Sequence, residues 1–119
     1  MIRLQHVSKV FGAGPSRVAA LSGISFHIAK GEFVVLTGAS GAGKTTLLRM
    51  LYRAETPSEG EIEVAGFDVT ELRRSEIPRL RRSIGIVFQD SKLLAGRSVF
   101  ENVAFVLRVL GVPRRDITP

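Results

Sequence analysis

Hydrophobic and polar positions alternate along the first third of the chain with the two-residue period of a half-buried β-strand. The alternation covers residues 2–4 and 24–28, and residues 12–16, rich in glycine, form a turn cluster between them. Residues 33–37 then form a continuous apolar run, which is typical of a strand buried on both faces. The pattern therefore predicts β-structure that leads into one strand of a sheet core.

After a glycine-rich break at residues 38–43, the spacing of the hydrophobic residues changes from that of a strand to that of a helix. A helix is predicted from Lys44, and it is expected to end before Pro57 because a residue that precedes proline avoids helical geometry. The apolar face of this helix is formed by Leu47, Leu48, Met50 and Leu51. Residues 61–64 alternate again and are followed by Ala65-Gly66, which predicts a short strand and a hairpin.

Two helices and a second apolar run are predicted in the last third. Ser75 is placed to cap a short helix over residues 76–82, and residues 84–88 resemble another buried strand. Ser98 and Glu101 have the spacing of a capping box at the start of a longer helix. The apolar stripe of that helix is formed by Val99, Val103, Val106 and Leu110, and Gly111 and Pro113 end it.

Composition narrows the class of protein. The 119 residues suffice for one domain with a modest core, and no apolar run approaches the roughly 20 residues that span a bilayer. No cysteine is present and the first residues do not resemble a secretory signal, which together favour the cytoplasm. The net charge is +6, and a basic balance can indicate nucleic acid or anionic lipid as a partner. The five arginines between residues 73 and 82 have no interleaved aromatic residues, so we interpret them as a solvated helix face.

The strongest chemical signal is the segment Gly38-Ala39-Ser40-Gly41-Ala42-Gly43-Lys44-Thr45, which matches the P-loop pattern at every fixed position. Its glycines let the backbone amides surround an anion, and the following helix directs its positive end at the phosphates. Lys44 is expected to reach the β- and γ-phosphates, Thr45 to ligate Mg²⁺, and Thr46 to donate to a phosphate oxygen. A glycine-rich turn with a chance Lys-Thr pair is the alternative, and the buried strand and apolar helix on either side disfavour it.

The residues around the P-loop resemble the nucleotide-binding domain of ABC transporters. The resemblance rests on Phe11, on Gly31-Glu32 before the P-loop strand, and on Val87-Phe88-Gln89-Asp90 after the later strand. Further stretches, among them residues 51–53, 76–82 and 99–105, are similar to the FtsE subfamily of cell division, and lipoprotein-release and macrolide-export ATPases share much of this pattern. The resemblance implies an α/β fold: a P-loop NTPase core with an antiparallel β lobe, of the ABC ATP-binding type.

The resemblance also assigns roles outside the P-loop. Phe11 occupies the position of the aromatic residue that stacks on adenine, Val18 either packs against the same base or belongs to the core, and Gln89 matches the glutamine that helps to hold Mg²⁺ and senses the γ-phosphate. The implied nucleotide site, with ATP and Mg²⁺ as its ligands and the metal on Thr45 and Gln89, comprises Phe11, Val18, Gly38, Ala39, Ser40, Gly41, Ala42, Gly43, Lys44, Thr45, Thr46 and Gln89.

The segment after Gln89 corresponds to the surface that meets the membrane subunit in this family. It is expected to be a flexible loop with two adjacent leucines and two cations, and a small local core is the alternative. The predicted partner surface comprises Lys92, Leu93, Leu94, Arg97 and Phe100. The implied partners are an FtsX-like membrane subunit, on the inner face of the cell membrane, and a second copy of the full-length protein.

Several family features are missing from the sequence. The Leu-Ser-Gly-Gly-Gln signature, the Walker B strand with its acidic residues and the switch histidine do not occur in the 119 residues. Residues 1–119 are therefore expected to form the truncated, N-terminal part of one ABC ATP-binding domain. Of the catalytic residues only Lys44 and Gln89 would be present, so the chain is expected to bind ATP and to hydrolyse it poorly.

Two other classes remain as competing hypotheses. One is a small P-loop kinase or GTPase, which the long β-rich segment before the P-loop and the absence of an Asn-Lys-x-Asp motif disfavour. The other is a non-catalytic module that holds a nucleotide or a nucleic acid. No nucleic-acid partner is expected, and a salt titration would distinguish such binding because affinity for nucleic acid falls steeply with salt.

Overall fold

The computed structural model describes residues 1–118, which divide into two compact units. The first unit spans Met1–Gly85 and the second spans Ile86–Pro119. Within the described residues no helix combines the length and the apolar character needed to cross a membrane.

The first unit contains a four-stranded antiparallel sheet. Its strands are β1 (Ile2–Phe11), β2 (Val18–Ile28), β3 (Glu59–Val64) and β4 (Phe67–Asp68), in the spatial order β2-β1-β3-β4. A short 3₁₀ turn at Gly14–Ser16 joins β1 to β2, and β3 and β4 form the hairpin around Ala65-Gly66. The antiparallel β lobe and both turns that the sequence predicted are confirmed.

Helix α1 (Lys44–Leu51) supplies two buried side chains to the core of this unit, Leu47 and Met50. Their three-residue spacing places both on one face of the helix, and the helix ends before Pro57 as predicted. A short helix, α2 (Ile77–Arg82), contributes Leu80. The remaining fully buried members of the core are Leu4, Val7, Ile62, Val64 and Val69.

The two predicted core strands are wrong for the described residues. Residues 33–37 and 84–88 are not in strands, and the side chains of Phe33 and Val87 are 91% and 99% exposed. A strand forms only where a neighbour completes its hydrogen-bond ladder, and no strand in residues 1–118 pairs with either segment. Ile84 alone of the later segment packs against the core of the first unit.

The predicted cap of α2 is also wrong. The N-cap residue is Glu76 and not Ser75, and no side chain caps the helix start. The Glu76 carboxylate instead accepts a hydrogen bond from the backbone amide of Arg73 at 3.0 Å. Pro78 in the first turn lacks an amide hydrogen, so the helix start has one donor fewer to satisfy.

The second unit is built on helix α3 (Val99–Val109), followed by a 3₁₀ turn at Arg114–Asp116. The capping box is confirmed: the Glu101 amide donates to the Ser98 hydroxyl and the Ser98 amide donates to the Glu101 carboxylate. The helix ends ahead of Gly111, which has a positive φ of 82°. The only buried residue of α3 is Ala104, and the predicted apolar stripe is exposed in the described residues.

Gly60 in β3 lies close against the backbone of β1. Its φ is +86°, and a Cβ there would lie 2.5 Å from the carbonyl oxygens of Gln5 and His6. Gly66 has a similar φ of +82°, but nothing lies within 4 Å of its Cβ position. The two glycines therefore separate the cost of a left-handed backbone from the cost of a steric clash.

We predict that Gly60→Ala lowers the free energy of unfolding by considerably more than Gly66→Ala. Both variants incur the left-handed penalty of about 1–2 kcal/mol, and only Gly60→Ala must also separate β1 from β3. Urea denaturation followed by circular dichroism measures both values. Equal destabilisation of the two variants would contradict the role of Gly60 in the close strand contact.

Candidate functional site

The loop of residues 38–43 is shaped by glycines in backbone conformations that other residues rarely adopt. The φ angles are +149° at Gly38, +79° at Gly41 and +83° at Gly43. A side chain at any of these positions would strain the backbone, which explains why the pattern needs glycine at its two fixed glycine positions, Gly38 and Gly43. The loop leads directly into α1, whose first residue is Lys44.

The start of α1 has no side chain that satisfies its backbone amides. Its N-cap is Gly43, no side chain caps it, and its first turn contains no acidic residue. The first amides of any α-helix lack partners within the helix, and the helix dipole makes that end positive. This helix end is therefore suited to an anion such as phosphate.

Lys44 folds back over the loop. Its ammonium donates to the carbonyl oxygens of Gly38 at 2.8 Å and Ala39 at 2.6 Å. An ammonium has three donors, so this arrangement leaves one for an anion held by the loop. Thr45 and Thr46 follow in the first turn of α1, the first exposed and the second half-buried.

Close contact with β2 fixes the end of the loop. A Cβ at Gly43 would lie 2.4 Å from the carbonyl oxygen of Ala20 and 2.8 Å from Leu21 Cδ2. Any side chain at Gly43 would therefore push the loop away from β2. Loop and β lobe are held together at this point.

The same strand places the predicted base-binding residues near the loop. Val18 and Phe11 are paired across β2 and β1, and both are exposed. Val18 precedes Ala20 by two residues, a distance of roughly 7 Å along a strand. The structure thus brings Phe11 and Val18 together and sets them close to the point where Gly43 meets β2. Exposure of Val18 disfavours the alternative that it is a core residue.

The described residues contain no group of three or more histidine or acidic side chains that could hold a metal ion. Mg²⁺ is usually held by one or two protein oxygens together with substrate phosphates and water. The single hydroxyl of Thr45 beside an anion-accepting helix end fits that mode of binding. It does not fit a metal site made by the protein alone.

Gln89 lies in the second unit, in an exposed turn, and its predicted role stays a prediction. Beyond it the chain adopts left-handed conformations at Ser91 and Lys92, with φ of 56° and 46°. The Lys92 ammonium lies 2.5 Å from the Asp90 carboxylate. That hydrogen bond lowers the pKa of Asp90 below its ordinary value.

Asn102 on α3 is a residue whose role the sequence did not reveal. Its Oδ1 accepts from the Leu94 amide at 2.7 Å, and its Nδ2 donates to the Ser98 carbonyl at 3.0 Å. Longer contacts of 3.4 Å join Nδ2 to the carbonyls of Leu94 and Arg97. Leu94, Arg97 and Ser98 are therefore tied to α3 by hydrogen bonds, and the expectation of a flexible loop stays a prediction. The signal was an asparagine one helical turn after a capping serine.

The predicted partner surface is exposed in this unit. Leu93 is 71% exposed, and Leu94 and Phe100 are each exposed by more than a third. The Arg97 guanidinium pairs with Glu101 at 3.0 Å, one turn into α3. The adjacent leucines do not form a local core, but nothing in the described residues tests what they bind.

Comparison with known proteins decides the family. Residues 21–118 of the chain match the protein family described as ABC transporter. The chain belongs to the ABC transporter family.

Several similar curated relatives are cell-division ATP-binding proteins. FtsE of Escherichia coli (strain K12) is 48% identical over 117 residues, which are 98% of this chain and 51% of that protein. FtsE of Bacillus subtilis (strain 168) is 50% identical over 111 residues, or 93% of this chain and 47% of the relative. The methionine import ATP-binding protein MetN of Aliivibrio fischeri is 44% identical over 98% of this chain and 34% of its own length. This ABC family chain thus spans about half the length of the FtsE relatives.

Solved structures confirm the predicted fold class. A dimeric bacterial ABC transporter cassette aligns with a TM-score of 0.83 at 34% identity, over 96% of this chain and 49% of that one. A dimeric cassette in a post-hydrolysis state, bound to ADP and Pi, aligns with a TM-score of 0.82 at 33% identity. The chain has the α/β fold of an ABC ATP-binding domain, and its sheet lobe and P-loop are in the expected order. Residues 33–37 and 84–88 form no strands in the described structure.

The start of α3 yields a prediction of pH dependence. Hydrogen bonds from the Ser98 amide, and then from Arg97 and the Ser98 side chain, lower the pKa of Glu101 below its ordinary value of 4.5. A carboxylate with a lowered folded pKa stabilises the structure above the unfolded pKa, and the stabilisation is lost as pH falls through the folded pKa.

We therefore expect the Glu101 carboxyl to titrate below pH 4.5 and the cap to loosen only as pH falls through that titration. A carboxyl-detected NMR titration measures the pKa directly. Arg97→Gln should raise the Glu101 pKa, whereas Arg115→Gln, a matched charge removal outside the cap, should not. A Glu101 pKa at or above 4.5 in the unaltered chain would contradict the capping geometry.

Proposed function

We propose that this chain binds Mg²⁺-ATP through residues 38–46 and serves as the nucleotide-holding part of an ABC ATP-binding subunit. The observation that carries the proposal is the uncapped glycine start of α1 beneath the Lys44 ammonium. The helix dipole, the backbone amides without a side-chain cap and the Lys44 charge all act at the start of α1. All three favour phosphate oxygens there.

Each side chain at the loop has a separate task in this proposal. Backbone amides of the loop and of the first turn of α1 donate to the phosphates, and Lys44 donates to the β- and γ-phosphates. The hydroxyl of Thr45 holds Mg²⁺, which supplies positive charge beside the phosphates, and Thr46 donates to a phosphate oxygen. The expected participation of Gln89 in metal and γ-phosphate binding is part of the same proposal.

Phe11 and Val18 form the base-binding part. Both side chains are exposed, they are paired across β1 and β2, and Val18 lies two residues from the contact between β2 and Gly43. Stacking on an aromatic ring depends little on base identity because every base has a π-face. We infer that this part adds affinity for the nucleoside without strong choice of base.

We further propose that the full-length protein acts with an FtsX-like membrane subunit in cell division, on the inner face of the cell membrane. The identity to FtsE relatives of two distant bacteria supports this assignment. The match to MetN, a methionine import protein, supports a transport role as the second candidate, and the lipoprotein-release and macrolide-export types belong to the same class. A dimer of full-length subunits is proposed from the dimeric cassettes.

Hydrolysis belongs to the full-length protein in this proposal. The family's signature and Walker B strand do not occur among these 119 residues, and phosphoryl transfer needs a residue that orients the attacking water. Poor turnover by residues 1–119, and their place as one part of a single ATP-binding domain, stay predictions.

The first test concerns the phosphate site. We expect Lys44→Ala to weaken Mg²⁺-ATP binding by roughly tenfold to 150-fold, because a hydrogen bond to a charged group contributes about 1.5–3 kcal/mol. Isothermal titration calorimetry on the chain measures the dissociation constants. Lys30→Ala removes the same charge from the exposed turn after β2 and serves as the matched control.

A P-loop that binds phosphate gives a large loss for Lys44→Ala and a small one for Lys30→Ala. Equal losses would mean that only the net charge attracts the nucleotide. Unchanged affinity in Lys44→Ala would contradict the proposed site.

The second test concerns the partner surface in the full-length protein. Replacing Leu93 and Leu94 with serine should abolish co-purification with the membrane subunit and leave ATP affinity unchanged. Burial of one such leucine contributes about 1.5–3 kcal/mol to binding. Val109 and Leu110, an adjacent exposed apolar pair at the end of α3, give the matched serine control.

Co-purification of the Leu93, Leu94 double variant at the unaltered yield would place the coupling surface elsewhere. Loss of co-purification in the control pair as well would mean that removing any exposed apolar pair of this unit weakens the association, and that the effect is not specific to Leu93 and Leu94.

A further inference from the structure

Lys9 lies against the ring of Phe11, which the proposed function assigns to the base. The two residues are two positions apart on β1 and therefore project from the same face of the sheet. The Lys9 Nζ atom is 4.8 Å from the centroid of the Phe11 ring. Cation–π attraction operates within about 6 Å, so this is a direct interaction.

The ammonium is held in place from its other side. It donates to the Thr56 carbonyl oxygen at 2.8 Å and lies 3.3 Å from the Glu55 carboxylate. The Lys9 side chain is only 12% exposed. These partners hold the Lys9 ammonium against the Phe11 ring on the side away from solvent.

The segment that holds Lys9 is itself tied to β1. The Ser58 amide donates to the Ser8 carbonyl at 2.8 Å, and the Val10 amide donates to the Ser58 hydroxyl at 3.0 Å. These bonds flank Lys9 on both sides along the strand. The acceptors of the ammonium are therefore fixed relative to Phe11.

The consequence concerns the part of the Phe11 ring that is left for a ligand. The ring is still 39% exposed, although the ammonium lies over it. The face of an aromatic ring is electron-rich, and a cation over it attracts that density. When the π-electrons of the ring are drawn toward a cation, they repel the electron cloud of a stacked base less. The contact also fixes the orientation of the ring. The Phe11 side chain therefore loses less conformational freedom when a base binds.

We propose that Lys9 is a positioning residue for the nucleobase, acting through Phe11. It holds the ring in the stacking orientation and polarises it, so that a nucleoside triphosphate binds more tightly than its phosphate chain alone. This proposal rests on the proposed function, because it takes Phe11 as the base-stacking residue.

The competing explanation is that Lys9 only joins β1 to the segment of residues 55–56. Both explanations predict some loss of stability when Lys9 is replaced, so stability cannot distinguish them. They differ in ligand dependence: a purely structural tie has no reason to distinguish a ligand that has a base from one that lacks it.

The experiment compares Mg²⁺-ATP with Mg²⁺-tripolyphosphate, which has the phosphates without the base. Lys9→Met keeps the aliphatic stem and removes the charge, and Lys9→Arg keeps the charge as the matched control. Calorimetry should show that Lys9→Met weakens ATP binding by up to about fivefold, since the energy of an exposed cation–π contact is the upper limit of what the ring can pass on to the base. Tripolyphosphate affinity should stay unchanged, and Lys9→Arg should retain ATP affinity within about twofold.

A second background tests whether the ring transmits the effect. In Phe11→Leu the ring is absent, so adding Lys9→Met should cause no further loss of ATP affinity. Circular dichroism confirms folding of each variant. If Lys9→Met does not fold, Lys9→Gln takes its place, since its amide can still donate to the Thr56 carbonyl without a charge.

Three outcomes would overturn the proposal. Equal weakening of ATP and tripolyphosphate would make Lys9 a structural tie. An undiminished Lys9→Met effect in the Phe11→Leu background would exclude the ring as mediator. Equal affinity of the unaltered chain for both ligands would show that the base adds nothing, while the phosphate site stands. Binding of neither ligand by the unaltered, folded chain would instead overturn the proposed function itself.

Discussion

The approach of Gly43 to the carbonyl of Ala20 is the contact on which the arrangement of the site depends. Because no side chain fits between them, the end of the P-loop rests directly on β2. Val18 lies two residues away on the same strand and pairs with Phe11, so the position of the loop and the position of the aromatic ring are set by one strand. A shift of β2 would therefore move both parts of the proposed nucleotide site together.

The two longer helices begin in opposite ways, and the difference reflects what each helix end contacts. At α3, side chains occupy the helix start: the Ser98 hydroxyl accepts from the Glu101 amide, and the Glu101 carboxylate accepts from the Ser98 amide. At α1, a glycine cap leaves the first amides without a side-chain partner. A glycine N-cap costs only a few tenths of a kcal/mol relative to a capping Ser, Thr, Asn or Asp, so the helix tolerates it. A bound phosphate supplies what the missing cap would have supplied, so binding and helix stability at α1 are linked.

The sequence predicted the features that depend on local rules. Alternation placed β1 and β2, the glycine pattern placed the loop, and the Ser98–Glu101 spacing placed the start of α3, because each depends on residues near one another in the chain. It failed where a partner was needed: residues 33–37 have the composition of a core strand and lack a neighbouring strand among the described residues. Lys9 was missed because its partners include a carbonyl 47 residues away, and Asn102 because its bonds reach back over the capping serine, and hydrophobic periodicity reveals neither.

The exposed apolar run before the P-loop raises the question of why the loop is nevertheless formed. In a parallel sheet the loop would be positioned by the strand that enters it, yet residues 33–37 make no ladder in the described structure. Two other constraints hold the loop: Gly43 lies against β2, and α1 is anchored in the core by Leu47 and Met50. Both lie on the helix side of the loop. The phosphate-facing geometry therefore follows from the β lobe and α1, while Leu36 and Thr37 of the apolar run line a cavity together with Gly43 and Lys44.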